Sequence, residues 1–176
     1  MKPLVLSLVL TSAITLTGCS TLVSLNPFVT DEQAVMDPAL LGIWTNQDGK
    51  ETYWIRQDGA GYSICYSCDS SDAYRFKARL MVAGDVKLLD LVSANEDAWQ
   101  LAVHTPVRIW TEDSTLRLAF LETDWLKEQA LQQLAAVPAK DRTLITAPGE
   151  AVRNFLVKIG ADPKACDEPE VLHRFQ

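Results

Sequence analysis

Cys65-Tyr66-Ser67-Cys68 is the segment of this 176-residue chain whose residue types and spacing point most directly to chemistry. Two thiols three positions apart can close a disulfide, cycle as a redox pair or supply half of a metal site. Cys166 adds a further thiol and His173 an imidazole. A bridge within Cys65–Cys68 closes a tiny loop worth roughly 2 kcal/mol in the chain-entropy model, whereas a bridge from the pair to Cys166 closes about 100 residues and is worth about 4.7 kcal/mol. The longer loop stabilises more and proximity favours the shorter one, so both pairings stay open. As a redox site the motif lacks the helix N-terminus that lowers a thiol pKa. As a zinc site, Cys65, Cys68, Cys166 and His173 leave six residues between the second pair of ligands where two to four are usual, and oxidation competes for the same thiols. No metal and no cofactor is expected.

His104 is the other residue that could do chemistry, as a base or ligand, if a carboxylate from another strand reached it. Otherwise it is a half-exposed strand histidine bonded to backbone or water. The chain has no Gly-x-Ser-x-Gly elbow, no His-Glu-x-x-His, no phosphate-binding loop and no Gly-x-Gly-x-x-Gly, so no catalytic residue is assigned and an enzyme is not expected. The aromatics Trp44, Tyr53, Trp54, Tyr62, Tyr74, Phe76, Trp99 and Trp110 could line a cavity for an apolar ligand or simply fill an interior. Trp44, Trp54, Tyr74, Phe76 and Trp99 are the candidate pocket or plug residues among them.

These side chains need elements to hold them. From Leu40 onward the hydropathy has period two, with turn signals about every ten residues, the pattern of an antiparallel sheet curling into a sandwich or barrel. Gln57-Asp58-Gly59-Ala60-Gly61 separates Glu51–Arg56 from Tyr62–Tyr66, and Ala83-Gly84-Asp85 separates the next pair; both read as hairpins. In Ala73–Val82 the residues Tyr74, Phe76, Ala78, Leu80 and Val82 share one face, predicted as core, and Arg75, Lys77 and Arg79 share the other, predicted as wet. Further strands are predicted over Val86–Leu91, Trp99–Thr105, Val107–Thr111 and Thr115–Leu121. The period then becomes helical. Thr123-Asp124 caps a predicted helix from Trp125 to about Val137, before Pro138. A second helix carries Val152, Phe155, Leu156 and Ile159 at i, i+3, i+4 and i+7, with Gly160 suited to its C′ position. The expected class is α+β: a strongly curved antiparallel sheet or barrel of about seven or eight strands with two C-terminal helices.

The N-terminus has the layout of a cleaved export signal: Met1-Lys2, an apolar core from Leu4 to Ile14, and Leu16-Thr17-Gly18-Cys19. It resembles a bacterial lipoprotein signal. That resemblance implies cleavage between Gly18 and Cys19 and acylation of Cys19, and two or three acyl chains at about 0.8 kcal/mol per buried methylene anchor a protein durably. Ser20 after the cysteine, in place of an aspartate, resembles the default for the outer membrane facing the periplasm. The expected organisation is a signal over 1–18, a lipidated cysteine and tether over 19–36, and one domain over 37–176. Fully extended, the tether would reach roughly 55 Å at about 3.3 Å per residue, with part of it docked through its apolar side chains.

Leu41-Gly42-Ile43-Trp44 before a series of hairpins resembles the Gly-x-Trp opening of the lipocalins. There the glycine permits a tight entry to the first strand, and the indole plugs the closed end beneath an arginine of the last strand, for which Arg117 or Arg108 is available. Together with His104-Thr105-Pro106-Val107-Arg108-Ile109, Asp124-Trp125-Leu126 and Leu144-Ile145-Thr146-Ala147, the same opening resembles a group of small bacterial lipoproteins to which no activity attaches; it implies a lipocalin-like domain and nothing about chemistry.

Without residues 1–18 the chain keeps 158 residues and a formal charge of −8, one domain's worth of core on an acidic surface that does not accumulate on nucleic acid or anionic lipid head groups. The leading expectation is a non-enzymatic, membrane-anchored envelope module acting through a protein partner. The alternative is a carrier or sensor of a small apolar ligand, and an envelope hydrolase or thiol enzyme comes a distant third.

Overall fold

The computed structural model describes residues 21–68, 70, 73–94, 101–139 and 142–175. Within them the strands are β1 (Thr21–Ser24), β2 (Gly42–Thr45), β3 (Thr52–Asp58), β4 (Gly61–Tyr66), β5 (Tyr74–Ala83), β6 (Val86–Ser93), β7 (His104–Glu112), β8 (Thr115–Phe120), β9 (Ala136–Pro138), β10 (Arg142–Ile145) and β11 (Glu170–Arg174), and the helices are α1 (Asp124–Gln133) and α2 (Gly149–Ile159). The alternating segments close on themselves. Strands β2, β3, β4, β5, β6, β7, β8 and β11 pair in that order, each antiparallel to its neighbour, and β11 returns to β2. The result is an eight-stranded antiparallel barrel with two helices, the α+β lipocalin-like architecture expected from the period-two pattern. Closure removes the exposed edges that an open sheet of this length would carry.

Two apolar cores share the barrel wall. One is the interior, with Leu40, Trp44, Ile55, Tyr62, Leu80, Ile109, Leu116 and Leu172 buried. The other lies outside β5 and β6, where α1, α2, β10 and the N-terminal segment cover Met81, Val86 and Leu88. Strand β6 is therefore buried on both faces, which explains its nearly unbroken apolar run. This second core corrects the expected wet face of β5: Met81 on that face is 5% exposed, whereas Tyr74 and Val82 on the face predicted as core are 52% and 44% exposed at the strand ends.

The segment 21–36, expected as a tether with part of it docked, lies on the domain. Strand β1 runs parallel to β10, and Ser24 bridges to His104 of β7. Leu22, Phe28 and Val29 are fully buried. Burial of these side chains outweighs the chain entropy that extension would keep.

Other boundaries moved for identifiable reasons. Thr123 caps α1 as predicted, its Oγ1 accepting from the Leu126 N–H at 3.2 Å, but the helix stops at Gln133 and Leu134 is already extended. Val137, expected in the helix, belongs to β9, whose antiparallel pairing with β10 wins over helix continuation. Trp99 and Gln100 lie outside the described residues, and Leu101–Val103 carry no strand; the two strands expected around Pro106 are one, β7, with Pro106 opposite Asp90. Helix α2 buries Val152, Phe155, Leu156 and Ile159 as the spacing predicted. Gly160 follows it in a right-handed conformation (φ −64°) rather than the left-handed one expected of C′.

Candidate functional site

One end of the barrel is sealed. Trp44 is 1% exposed and donates its indole N–H to the Leu40 carbonyl at 2.9 Å. The Arg174 guanidinium stacks 4.4 Å from the indole centroid and donates to the carbonyls of Leu41 (2.8 Å) and Ala39 (2.9 Å). Gly42 has φ +134°, and a Cβ there would stand 2.7 Å from an Arg174 nitrogen, so only glycine fits between the strand entry and the arginine. The arginine expected as Arg117 or Arg108 is Arg174, because the last barrel strand is β11 rather than β8. Arg108 and Arg117 lie on the outer face, stacked on Trp110. Beside the plug, Lys87 Nζ donates to Asp37 at 2.8 Å and to Thr111 Oγ1 at 2.9 Å. That ammonium holds the Asp37 carboxyl below its usual range. The Tyr62 hydroxyl accepts from the Asp37 N–H at 2.7 Å.

Above this floor the interior is not filled. A cavity of about 330 Å³ is lined by inward side chains of seven barrel strands and by Leu40, all of them aliphatic or aromatic. Its aliphatic wall includes Ile55, Ile64, Leu89, Val107, Ile109, Leu116, Leu118 and Leu172. The volume is at the lower end of the range typical of small-molecule pockets, and the lining matches their apolar character. The tyrosines Tyr53, Tyr66 and Tyr74 face one another across β3, β4 and β5, with ring centroids 5.0 Å and 6.3 Å apart, and climb from the wall to the open end. Tyr74 and Phe120, 52% and 38% exposed, stand at the rim.

Two carboxylates flank the same end. Tyr53 donates its hydroxyl to Glu170 at 2.9 Å, and Tyr66 donates to Glu51 at 2.9 Å. Both hydroxyls are thereby engaged by carboxylates rather than free to bond a ligand. Burial raises the Glu170 carboxyl above its ordinary range; the Tyr53 hydroxyl opposes that shift and the neighbouring Glu51 reinforces it. Burial, with Glu170 beside it, likewise pushes the Tyr53 phenol upward.

The candidate residues thus separate. Tyr74 and Phe76 line the cavity, whereas Trp44 is packed in the interior core at the sealed end and leaves the lining there to Leu40. Trp54 does not reach it: alternation along β3 sends Tyr53 and Ile55 inward and Trp54 and Arg56 outward, where the Arg56 guanidinium lies 5.4 Å from the Trp54 centroid. Trp99 lies outside the described residues, as do Gly18 and Cys19. Cys65 and Cys68 are joined in a disulfide, and Cys166 is free. Geometry thus selects the short loop, and two of the four zinc-ligand candidates are consumed. The bridge borders a polar hollow of about 260 Å³ on the outer face with Trp54, Arg56, Ser63 and Arg75. Burial pushes the Cys166 thiol up against the opposing Arg108 guanidinium, which suits a quiet thiol rather than a nucleophile.

The carboxylate that His104 required does reach it. Asp90 on β6 lies 2.7 Å from His104 Nδ1. The same carboxylate also accepts the backbone N–H groups of Phe28 (3.0 Å) and Val29 (3.2 Å), and it is 1% exposed. Among the described residues no hydroxyl or thiol bonds to the other imidazole nitrogen, and the adjacent Ser24 donates to the Asn26 carbonyl instead. The dyad pins the N-terminal segment to the barrel. Sequence reading named Tyr53 among the aromatics able to line a cavity but left it out of the narrower candidate set, and it missed Tyr66, Glu51, Glu170 and Arg174 as site residues, although the alternation Tyr53-Trp54-Ile55 and Glu170-Val171-Leu172 carried the signal. Among family models, curated proteins and solved structures, none matches this chain.

Proposed function

We propose that this chain is a carrier or sensor of a small apolar ligand, held in the barrel and displayed from a bacterial envelope membrane by a lipid anchor on Cys19. The observation that carries the reading is the cavity of about 330 Å³ with an aliphatic and aromatic lining, sealed at the Trp44 end and reached past Tyr74 and Phe120. An unfilled interior costs stability in proportion to its volume, and a binding role gives a reason for keeping it. The ligand would be recognised by shape and apolar burial, since the tyrosine hydroxyls at the wall are already engaged. Retention at the outer membrane, facing the periplasm, fits a component that hands such molecules across the compartment or reports their presence.

A protein partner is the other reading, and the edge strand β9 is what favours it, with Val137 53% exposed. Three residues ending in Pro138 make a poor template for strand addition, so the cavity takes precedence. Titration with a neutral, environment-sensitive dye is the test. The wild-type domain should bind it saturably, and Leu118→Trp, which puts an indole into the cavity, should abolish binding while the far-ultraviolet spectrum is retained. Equal binding by the two proteins would contradict the cavity as the site.

A further inference from the structure

The open end of the barrel carries information about the ligand's polar end. Strand β11 pairs Glu170 with Leu118 and Leu172 with Leu116, and directly paired residues project from the same face. Leu116, Leu118 and Leu172 line the cavity, so Glu170 continues the inward row one step toward the rim. Its Oε2 accepts from Tyr53, and its Oε1 is completely buried with no hydrogen-bond partner. A buried, unpartnered carboxylate oxygen beside an apolar cavity is a costly arrangement unless something supplies the missing donor. Glu51, held by Tyr66 and by the Asn46 amide at 3.1 Å, stands close enough to exchange a hydrogen bond with Glu170. Among the described residues no lysine or arginine pairs with either carboxylate, and none lines the cavity.

We propose that the barrel selects amphiphiles with a cationic or hydrogen-bond-donating head, of which an alkylamine is the simplest, and rejects those with an anionic head such as a fatty acid. The apolar tail lies against the aliphatic wall, and the head sits at the rim, donating to the free oxygen of Glu170 and sharing the field of Glu51. A carboxylate head in the same place would add a third acid beside Glu170 and Glu51, and the Tyr53 and Tyr66 hydroxyls that could have met it already donate to those two groups. The inference rests on the cavity being the binding site, and the test separates the two claims.

The experiment uses residues 21–176 exported behind a signal that is cleaved without acylation, so that no acyl chain of its own competes, and displaces the bound neutral dye N-phenyl-1-naphthylamine with decylamine, decanol or decanoate at pH 7 and constant ionic strength. Decylamine should displace at concentrations at least about tenfold lower than decanoate, with decanol between them, a ratio one screened charge contact readily supplies. Glu170→Gln keeps the shape and an acceptor for Tyr53 but removes the charge, and with Glu51→Gln it should bring the three within about twofold. Decanoate binding as well as decylamine, or a preference that survives both substitutions in a protein that still binds the dye, overturns the proposed selectivity and leaves the cavity reading intact. Displacement by none of the three overturns both.

Discussion

At the scale of single residues, the sealed end is the part of the molecule where identity matters most. Trp44→Ala should cost about 3–5 kcal/mol as a buried large-to-small change, read as a lower denaturation midpoint in urea. Unchanged stability would show that the indole is not the plug. The Gly-x-Trp opening made that role legible, since a glycine two residues before a tryptophan at the head of a strand series lets a tight chain entry and an inward indole coincide. Its arginine was not legible: the strands read from the sequence offer Arg117 and Arg108, and only the return of β11 beside β2 puts Arg174 over the ring. Glu170 gives a pH-dependent outcome. Its carboxyl is raised above the ordinary value of 4.5, chiefly by burial, so the folded state holds the proton more tightly than the unfolded chain does. Its contribution is favourable below the ordinary carboxyl range and is lost as pH rises through the raised value. Glu170→Gln should therefore be more stable than wild type at pH 7, and that difference should vanish below about pH 4. A gain that persists unchanged in acid would refute the assignment.

At the scale of elements, the N-terminal segment is held by a few identifiable contacts. Asp90→Ala leaves the Phe28 and Val29 N–H groups buried without an acceptor, a penalty of about 1–3 kcal/mol for each unsatisfied group. Hydrogen exchange should show those amides opening far faster than the barrel amides of β6 and β7, and uniform protection would mean that the segment is secured elsewhere. The start of α2 is pressed against it: a Cβ on Gly149 would fall 1.9 Å from the Pro27 carbonyl oxygen, so Gly149→Ala should loosen the same stretch. The hairpins and α2 could be read in advance because turn residues and a four-residue apolar stripe act locally. Strands β1, β9 and β11 could not, because each is short and owes its conformation to a distant partner: β1 to β10, β9 to β10, β11 to β8 and β2. The spacing of Cys65 and Cys68 left the pairing open, and the turn at Ser67 (φ 51°), where the chain leaves β4, decides it. Reducing that bridge should lower stability by roughly 2 kcal/mol.

At the scale of the whole molecule, the proposed function places two demands on one chain. A lipid anchor requires an N-terminus free to reach a membrane, and a ligand site requires a barrel whose mouth stays open. With residues from Thr21 docked, the distance between the proposed anchor at Cys19 and the domain is short, and the barrel would ride close to the bilayer surface. Cys19→Ser should yield an uncleaved or soluble product, and a cleaved protein that still needs detergent for extraction would contradict the anchor. The barrel class was legible from period-two hydropathy, but the cavity was not, because aromatic residues that line a void and aromatic residues that fill one have the same spacing. The most direct measurement of the central claim is a native mass spectrum of the mature chain, exported without its anchor and kept free of detergent. An adduct of a few hundred daltons that leaves on denaturation and is missing from Leu118→Trp is the predicted result; a bare mass for both proteins would contradict a ligand in the barrel.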